Sequence, residues 1–306
     1  MVDMPVVDTP LIQVSRAPAR AKPPRLPLRQ LDVLWLQVAG TRCNIACRHC
    51  FITCGPKSDR HAFMTVAQVR ATLDEAVRQG VREYYMTGGE PFLHPDLREM
   101  VALTLEQGPL TILTNGILID DAEAEWAAQT QRTAPYSFDL RVSLDGSSPE
   151  RNDPVRGKGT FAKITAGICR LAEHGVNPII TVTEVYDGMG SAAGRADFLG
   201  FLRASGLEKP RLKFLTPFLL GREVRRSRAY REDERLAEGD LLPEEYETLQ
   251  CASSRIVTAD GVYPCPLLIN EPGAKMGGTL ADGLRAIRLA HPACYTCHVS
   301  GVTCRN

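Results

Sequence analysis

Six short apolar runs that alternate with helix-like stretches place the strongest constraint on how this 306-residue chain can fold. Strands that alternate with helices pair in parallel, and the carboxyl ends of such strands meet at one edge of the sheet. Six units are too few for a closed eight-stranded barrel, so we predict an α/β fold that forms an open, partial (β/α)6 barrel. The strand-like runs are residues 33–38, 82–86, 110–113, 140–144, 178–182 and 212–215.

The first predicted helix has clear signals at both ends. Thr65 and Gln68 have the spacing of a capping box, in which each side chain bonds the backbone N–H of the other residue. Apolar residues then recur at helical spacing until Gly80, a residue that favours the end of a helix. The sequence therefore predicts an amphipathic helix between these two points.

The chain contains ten cysteines, most of which fall into two groups. Two such groups favour metal binding in a reducing compartment over a disulfide framework. Cys43, Cys47 and Cys50 follow the first strand-like run at Cys-x3-Cys-x2-Cys spacing. Three thiolates can hold three corners of a cubane iron-sulfur cluster and leave its fourth iron open to a ligand. Two alternatives remain at this point: three core thiols on one helix face, and a zinc site with Cys54 as the fourth ligand.

A Thr-Gly-Gly-Glu-Pro run at residues 87–91 follows the second strand-like run. Together with the cysteine triplet, this run makes the chain from residue 33 onward resemble the radical S-adenosylmethionine enzymes. The resemblance implies that Cys43, Cys47 and Cys50 ligate a 4Fe-4S cluster, whose fourth iron chelates the amino and carboxylate groups of S-adenosylmethionine.

The same resemblance implies a set of cofactor-binding residues. They would contact the adenine, the ribose, and the methionine amino and carboxylate groups. Asn115 and Asp145 could instead only shape turns, and Arg156 could only mark a helix start. The implied set is His49 on the adenine, Gly88 and Gly89 through backbone carbonyls, Glu90 nearby, Asn115 and Ser143 at the ends of the third and fourth strands, and Arg156 on the carboxylate.

The second cysteine group lies between residue 251 and the C-terminus. An Asp-Gly turn within residues 257–264 predicts a hairpin that brings two of the thiols to one end, and residues 280–289 have a helix-like pattern. Spacing alone leaves zinc open as the metal. The region is similar to the SPASM and twitch extensions of the family, which implies one auxiliary 4Fe-4S cluster. Its ligands would be Cys251, Cys265, Cys294 and Cys297, with Cys304 as an alternative ligand, a ligand to substrate or a bystander.

The predicted organisation has four parts. Residues 1–30 are rich in proline and form an extended arm, and residues 31–221 form the partial barrel. Residues 222–250 form a charged linker, because residues 222–240 are dense in Arg and Glu and favour a solvated helix or linker. Residues 251–306 form a small SPASM- or twitch-like iron-sulfur domain.

Composition and charge argue against a nucleic-acid-binding protein and against a membrane protein. The formal net charge is zero, and no basic stripe interleaved with aromatic residues suggests a nucleic-acid partner. No apolar run approaches the roughly 20 residues that span a bilayer, and the first 30 residues lack a secretory signal. We therefore expect a cytoplasmic protein that binds neither nucleic acid nor membrane.

The resemblance implies reductive cleavage of S-adenosylmethionine to a 5'-deoxyadenosyl radical, which abstracts hydrogen from a substrate while the auxiliary cluster assists oxidation. A peptide or protein substrate is slightly favoured over a small alcohol or sugar. The implied partners are a flavodoxin or ferredoxin electron donor and a separate peptide-recognition protein. Two alternatives are not enzymes. One is a non-catalytic electron carrier, in which Cys54 is the fourth cluster ligand at the N-terminal site, and the other is a zinc-stabilised binding protein.

Overall fold

The computed structural model describes residues 22–301. Most of the predicted proline-rich arm and Cys304 lie outside these residues. Within the described range, the chain forms ten strands, nine α-helices and four 3-10 helices. The strands are β1 Arg25–Leu26, β2 Val33–Ala39, β3 Glu83–Gly88, β4 Leu110–Thr114, β5 Phe138–Ser143, β6 Ile179–Thr183, β7 Arg211–Leu215, β8 Ser254–Thr258, β9 Gly261–Tyr263 and β10 Ile287–Arg288.

Eight of these strands form one sheet in the order β7-β6-β5-β4-β3-β2-β8-β9. Strands β2 to β7 are the six predicted strands, and all of them pair in parallel. The prediction of an α/β fold with a parallel sheet is therefore confirmed. Strands β1 and β10 form a separate antiparallel pair.

Helices join the parallel strands, and the first helix shows how local sequence sets their ends. The Thr65 side chain accepts the Gln68 N–H, the Gln68 side chain accepts the Thr65 N–H, and Gly80 ends the helix in the left-handed conformation. The predicted capping box and helix end are confirmed. The helices are α1 Val66–Gln79, α2 Leu97–Leu105, α3 Asp121–Thr133, α4 Pro149–Arg156, α5 Thr160–Glu173, α6 Ala192–Ala204, α7 Glu223–Arg226, α8 Glu245–Thr248 and α9 Pro292–Ser300.

Alternation along the strands separates two apolar faces. On β2 and β3, Leu34, Leu36 and Tyr84 belong to the main core, which also contains the buried faces of the helices. Their neighbours Trp35 and Tyr85 point to the other face, where their rings stack with centroids 4.2 Å apart. Successive strand residues face opposite sides of a sheet. One face of the sheet therefore packs on the helices, and the other face lines an interior space.

The predicted C-terminal hairpin is confirmed, and it also extends the main sheet. Strands β8 and β9 pair antiparallel, with Thr258 opposite Gly261. Strand β8 also pairs in parallel with β2, with Val33 opposite Ser254. The sequence did not predict this second pairing, since it depends on contacts between segments that lie about 220 residues apart.

Two local predictions are wrong in part. Residues 280–289 form a short 3-10 turn and then β10 rather than one helix. The reason is tertiary: Gly283 lies against Val262, and its carbonyl accepts a hydrogen bond from Arg255. The charged stretch after residue 222 is not wholly solvated, because Glu223 and Glu234 are buried and form ion pairs with nearby arginines. Within residues 22–301, no helix has both the length and the apolar character that crossing a lipid bilayer requires.

Arg255 ties the hairpin to the segments around it. Its side chain is fully buried, and its guanidinium donates to the carbonyls of Cys251, Ser254, Gly283 and Arg285 at 2.6–2.9 Å. Buried carbonyls that lose their donors cost roughly 1–3 kcal/mol each. Arg255 is therefore a structural centre of the C-terminal region.

We expect Arg255→Leu to lower the free energy of unfolding by at least about 3 kcal/mol, because it leaves several buried carbonyls without a donor. Urea unfolding of the iron-free protein measures this change. Arg203→Leu on the exposed face of α6 is the matched control and should change stability by no more than about 0.5 kcal/mol. Equal effects of the two substitutions would contradict this role of Arg255.

Candidate functional site

The segment between β2 and α1 contains the first cysteine group. Cys43, Cys47 and Cys54 are buried and Cys50 is partly exposed, and all four line one cavity. The cavity opens to solvent, and about 1280 Å³ of empty space, part of it open solvent, lies between the lining residues. Every strand from β2 to β7 contributes lining residues near its carboxyl end. The structure thus brings the three predicted ligands together where a parallel α/β sheet places its functional site.

Gly88 and Gly89, at the end of β3, allow the cysteine segment to pack closely. A Cβ atom on Gly89 would lie 2.0 Å from the Arg42 carbonyl oxygen, and one on Gly88 would lie 2.7 Å from the Ala39 Cβ. The next backbone N–H, of Glu90, donates to the same Arg42 carbonyl at 2.9 Å. Both glycines also line the cavity. The glycine pair therefore serves the packing of the cysteine segment as well as access to the cavity.

Glu90 is fully buried and joins the ends of β3 and β4. Its carboxylate accepts hydrogen bonds from the Thr114 hydroxyl and the Asn115 backbone N–H, both at 2.7 Å, and from the Phe92 N–H at 3.1 Å. Burial raises the pKa of Glu90 to about 7, although these hydrogen bonds oppose the rise. The Asn115 side chain in turn donates to the Asn44 side-chain oxygen at 2.7 Å, which links β4 to the cysteine segment.

Asp145 is buried and holds two predicted cofactor-binding side chains. One of its oxygens, Oδ2, lies 2.8 Å from His49 Nε2 and 2.7 Å from Arg156 Nε. Burial by itself would raise the pKa of Asp145, but the charges of Arg156 and His49 hold it well below its usual range. His49 and Arg156 line the cavity together with Ser143. Asp145 therefore acts from behind the wall of the cavity, where it orients two groups that face inward.

The thiols of the cysteine segment differ in pKa. Burial raises the pKa of Cys43 to about 12 and that of Cys47 to about 11. A hydrogen bond with the Cys54 thiol lowers the pKa of Cys50 to about 5, and the Cys54 backbone N–H also donates to the Cys50 sulfur at 3.3 Å. Cys54 is thus a hydrogen-bond partner of Cys50. Cys43 and Cys47 would release protons when a metal binds.

Arg222 is a residue of this site that the sequence analysis missed. Its Nε donates to the Cys47 carbonyl at 2.6 Å, its Nη2 donates to the Cys54 carbonyl at 2.5 Å, and its backbone N–H donates to the Cys50 carbonyl at 3.1 Å. The sequence analysis placed this arginine at the start of a charged linker. Its position directly after Gly221, the last residue of the predicted barrel, is the signal in the sequence that marks it.

The second cysteine group surrounds a smaller cavity. Cys251, Cys265, Cys294 and Cys297 line it, among apolar side chains that include Leu249 and Leu289. Burial raises the pKa of Cys294 to about 12. Pro266 and Leu267 line both cavities, so the two cavities share part of a wall. Within residues 22–301, no three His, Cys, Asp or Glu side chains converge tightly enough to bind a single metal ion; these cysteines surround cavities instead.

Fold and site together define an α/β protein in which a cysteine segment closes the carboxyl ends of a parallel sheet. Residues 38–190 of the chain, half of its length, match the family model of the Radical SAM superfamily. The chain belongs to this superfamily, whose members use a 4Fe-4S cluster and S-adenosylmethionine.

The relatives include a maturase, a bacteriocin biosynthesis protein and a probable GTP cyclase. The mycofactocin maturase MftC of Mycolicibacterium smegmatis is 27% identical over 263 residues, 83% of this chain and 61% of the maturase. The subtilosin biosynthesis protein AlbA of Bacillus subtilis is 31% identical over 137 residues, 44% of this chain and 29% of AlbA. A probable GTP 3',8-cyclase of Methanosarcina mazei is 31% identical over 146 residues, 45% of this chain and 41% of the cyclase. The chain therefore spans 29–61% of the length of these relatives.

Two solved structures share the fold. Streptococcus suis SuiB bound to its precursor peptide SuiA superposes with a TM-score of 0.63 at 16% identity, over 84% of this chain and 65% of SuiB. Native anSMEcpe with bound AdoMet superposes with a TM-score of 0.60 at 17% identity, over 82% of this chain and 79% of that protein. At these identities the likeness establishes the common fold.

Glu90 should give the iron-free protein a measurable pH dependence of stability. An ordinary glutamate in the unfolded chain titrates near ~4.3, whereas Glu90 in the folded protein titrates at about 7. Between these values the folded state holds the proton and the unfolded state has lost it. The Glu90 contribution to the free energy of unfolding should therefore fall as pH rises, by up to about 1.4 kcal/mol per pH unit. The lowered pKa of Cys50 contributes a slope of opposite sign above about pH 5, so the Glu90 term is read from the difference between wild type and a Glu90 variant.

We expect Glu90→Gln to remove this contribution, so that its free energy of unfolding changes with pH in a more positive direction than that of the wild type, and urea unfolding between pH 4.5 and 8 measures the difference. Glu125→Gln on the exposed surface of α3 provides the control and should keep the wild-type slope. A wild-type slope in Glu90→Gln would mean that another group carries the pH dependence.

Proposed function

We propose that Cys43, Cys47 and Cys50 hold a 4Fe-4S cluster that binds S-adenosylmethionine, and that the enzyme uses it to modify a peptide or protein. One observation carries this proposal: the three thiols lie in a single cavity at the carboxyl ends of six parallel strands. Three thiolates leave one iron open to a ligand, as reductive chemistry on a bound cofactor requires.

The residues around the cavity fit such a cluster and cofactor. Soft thiolates are the donors that iron-sulfur clusters take. His49 Nδ1 and Trp35 Nε1 are buried polar atoms with no hydrogen-bond partner among the described residues, and both side chains line the cavity. Buried polar atoms of this kind normally have a partner, so a polar ligand in the cavity would satisfy them.

When bound, the cluster and S-adenosylmethionine supply a 5'-deoxyadenosyl radical that removes a hydrogen atom from substrate. The protein's own residues bind and orient the cofactor. Asp145 fixes His49 for the adenine and Arg156 for the methionine carboxylate, in line with the roles that the sequence implies. Ser143, Gly88 and Gly89 offer further polar contacts from the strand ends. Apolar residues such as Leu113 and Phe218 line the rest of the cavity and limit access of water.

The second cysteine group supports an auxiliary 4Fe-4S cluster. Cys251, Cys265, Cys294 and Cys297 would be its ligands, because they line one small apolar cavity. This second cavity shares a wall, formed by Pro266 and Leu267, with the first cavity. A cluster there would therefore be close enough to accept an electron from the substrate. On this basis residues 251–306 form a SPASM- or twitch-like unit, residues 31–221 form the barrel, and residues 222–250 connect the two.

The relatives support a peptide or protein substrate. MftC and AlbA are named as a maturase and as a biosynthesis protein of the bacteriocin subtilosin, and SuiB was solved with a precursor peptide. The GTP 3',8-cyclase among the relatives keeps a small-molecule substrate as the second candidate. A peptide-modifying enzyme of this kind would work in the cytoplasm with a flavodoxin or ferredoxin as electron donor and a separate peptide-recognition protein.

The N-terminal cluster can be tested by cofactor cleavage. After anaerobic reconstitution and reduction with dithionite, the wild-type protein should convert S-adenosylmethionine to 5'-deoxyadenosine. The variant in which Cys43, Cys47 and Cys50 are all Ala should form none while it retains about four irons. Cys169→Ala, outside both cysteine groups, should keep both properties. Absence of 5'-deoxyadenosine from the wild-type reaction would leave an electron carrier as the better explanation.

The auxiliary cluster predicts a different outcome for the C-terminal cysteines. Cys251→Ala should lower the iron content by about four atoms per chain yet still cleave S-adenosylmethionine, because the first cluster remains. Iron analysis and chromatography of 5'-deoxyadenosine measure the two effects. Full iron content in Cys251→Ala, or zinc in place of iron in the wild-type protein, would refute the auxiliary cluster.

A further inference from the structure

We propose that Arg222 is a positioning residue that holds the cysteine segment in its cluster-binding shape and places a fixed positive charge beside the cluster. The inference rests on the proposed function, because it concerns the cluster that Cys43, Cys47 and Cys50 would hold. It goes beyond that function, because Arg222 follows β7 in the chain and belongs to neither cysteine group.

Arg222 satisfies three backbone carbonyls at once. These carbonyls belong to Cys47, Cys50 and Cys54, and two of the three bonds come from the guanidinium. The Cys47 and Cys50 carbonyls also accept backbone N–H bonds from Cys50 at 3.4 Å and from Thr53 at 3.3 Å, both longer than the Arg222 bonds to the same carbonyls. Two donors on one planar, rigid group fix the relative positions of two carbonyls more strictly than two separate side chains would. Arg222 therefore sets the distance between the Cys47 and Cys54 carbonyls.

The position of Arg222 is itself fixed by its neighbours. Gly221 has φ +55°, and a Cβ there would lie 2.4 Å from the Phe51 carbonyl oxygen, so only glycine fits this close approach. On the other side, Arg222 opens α7, in which the buried Glu223 forms an ion pair with Arg226. The arginine is thus presented by a close-packed turn and a short helix rather than by a mobile linker.

The charge of Arg222 lies directly beside the cysteine segment. Its guanidinium donates to the Cys47 and Cys54 carbonyls. Arginines 141, 156 and 222 line the cavity, whereas no Asp or Glu is among its described lining residues. A cation next to an iron-sulfur cluster stabilises the added electron and raises the reduction potential. Loss of Arg222 should therefore make the cluster harder to reduce.

Two substitutions separate the hydrogen bonds from the charge. Arg222→Gln removes the charge and the guanidinium, and Arg222→Lys keeps a charge but loses the planar fork. Arg225→Gln removes a charge from an exposed position on the same short helix, and it serves as the matched control. All three are made in the full chain.

The first measurement is hydrogen exchange of residues 41–55 in the iron-free protein. Both Arg222 variants should exchange at least tenfold faster than wild type, and Arg225→Gln should match wild type. This result does not depend on a cluster, so it tests the positioning role even if the proposed function is wrong. Wild-type protection in Arg222→Gln and Arg222→Lys would overturn that role.

The second measurement is the reduction potential of the N-terminal cluster, followed by electron paramagnetic resonance in a Cys251→Ala background that lacks the auxiliary cluster. We expect Arg222→Gln to shift the reduction equilibrium about tenfold toward the oxidised form, which is about 59 mV for one electron. Arg222→Lys should restore most of the potential without restoring exchange protection. A wild-type potential in Arg222→Gln would overturn the electrostatic role.

Discussion

The contact between the Arg42 carbonyl and Gly89 is the constraint on which the rest of the site depends. It joins the cysteine segment, which follows β2, to the end of the neighbouring strand β3 at a distance that only glycine permits. Strands β2 and β3 pair in parallel, and their register shifts between Gln37 and Ala39, just before the cysteine segment. The contact at Gly89 then determines how far the cysteines extend over the strand ends. The next residue, Glu90, joins this contact to β4, because its carboxylate accepts hydrogen bonds from Thr114 and Asn115.

Buried charge organises the opposite side of the cavity. Asp145 has no exposed surface, and its carboxylate lies within 2.8 Å of both His49 and Arg156, so Arg156 cannot turn away without leaving a buried charge without compensation. The Thr183 backbone N–H donates one hydrogen bond to Asp145 Oδ1 at 2.8 Å, which adds a further restraint from β6. The cavity is thus rigid where a cofactor would need orientation and apolar where a substrate radical would need protection.

Sequence reasoning succeeded where the signal was local. The period of the apolar residues predicted β2 to β7, the capping box predicted α1, and the Asp-Gly pair predicted the β8–β9 hairpin. It failed where partners lie far apart in the chain. Arg222 bonds Cys47 and Cys54 across 175 and 168 residues, and the partners of Arg255 overrode the helical pattern of residues 280–289. The assignment of the metal ligands remains a prediction, which the grouping of the thiols around two cavities supports.

The pairing of β8 with β2 has a consequence for the order in which the protein is built. Strand β2 lies near the start of the described chain, but its second neighbour is synthesised more than 200 residues later. Until then β2 presents an open edge directly beside the cysteine segment, and such edges invite pairing with other chains. Sheet completion is therefore a late event in biosynthesis, and such long-range pairing folds slowly. The cysteine segment therefore lies beside an unfinished sheet edge until the C-terminal hairpin has been synthesised.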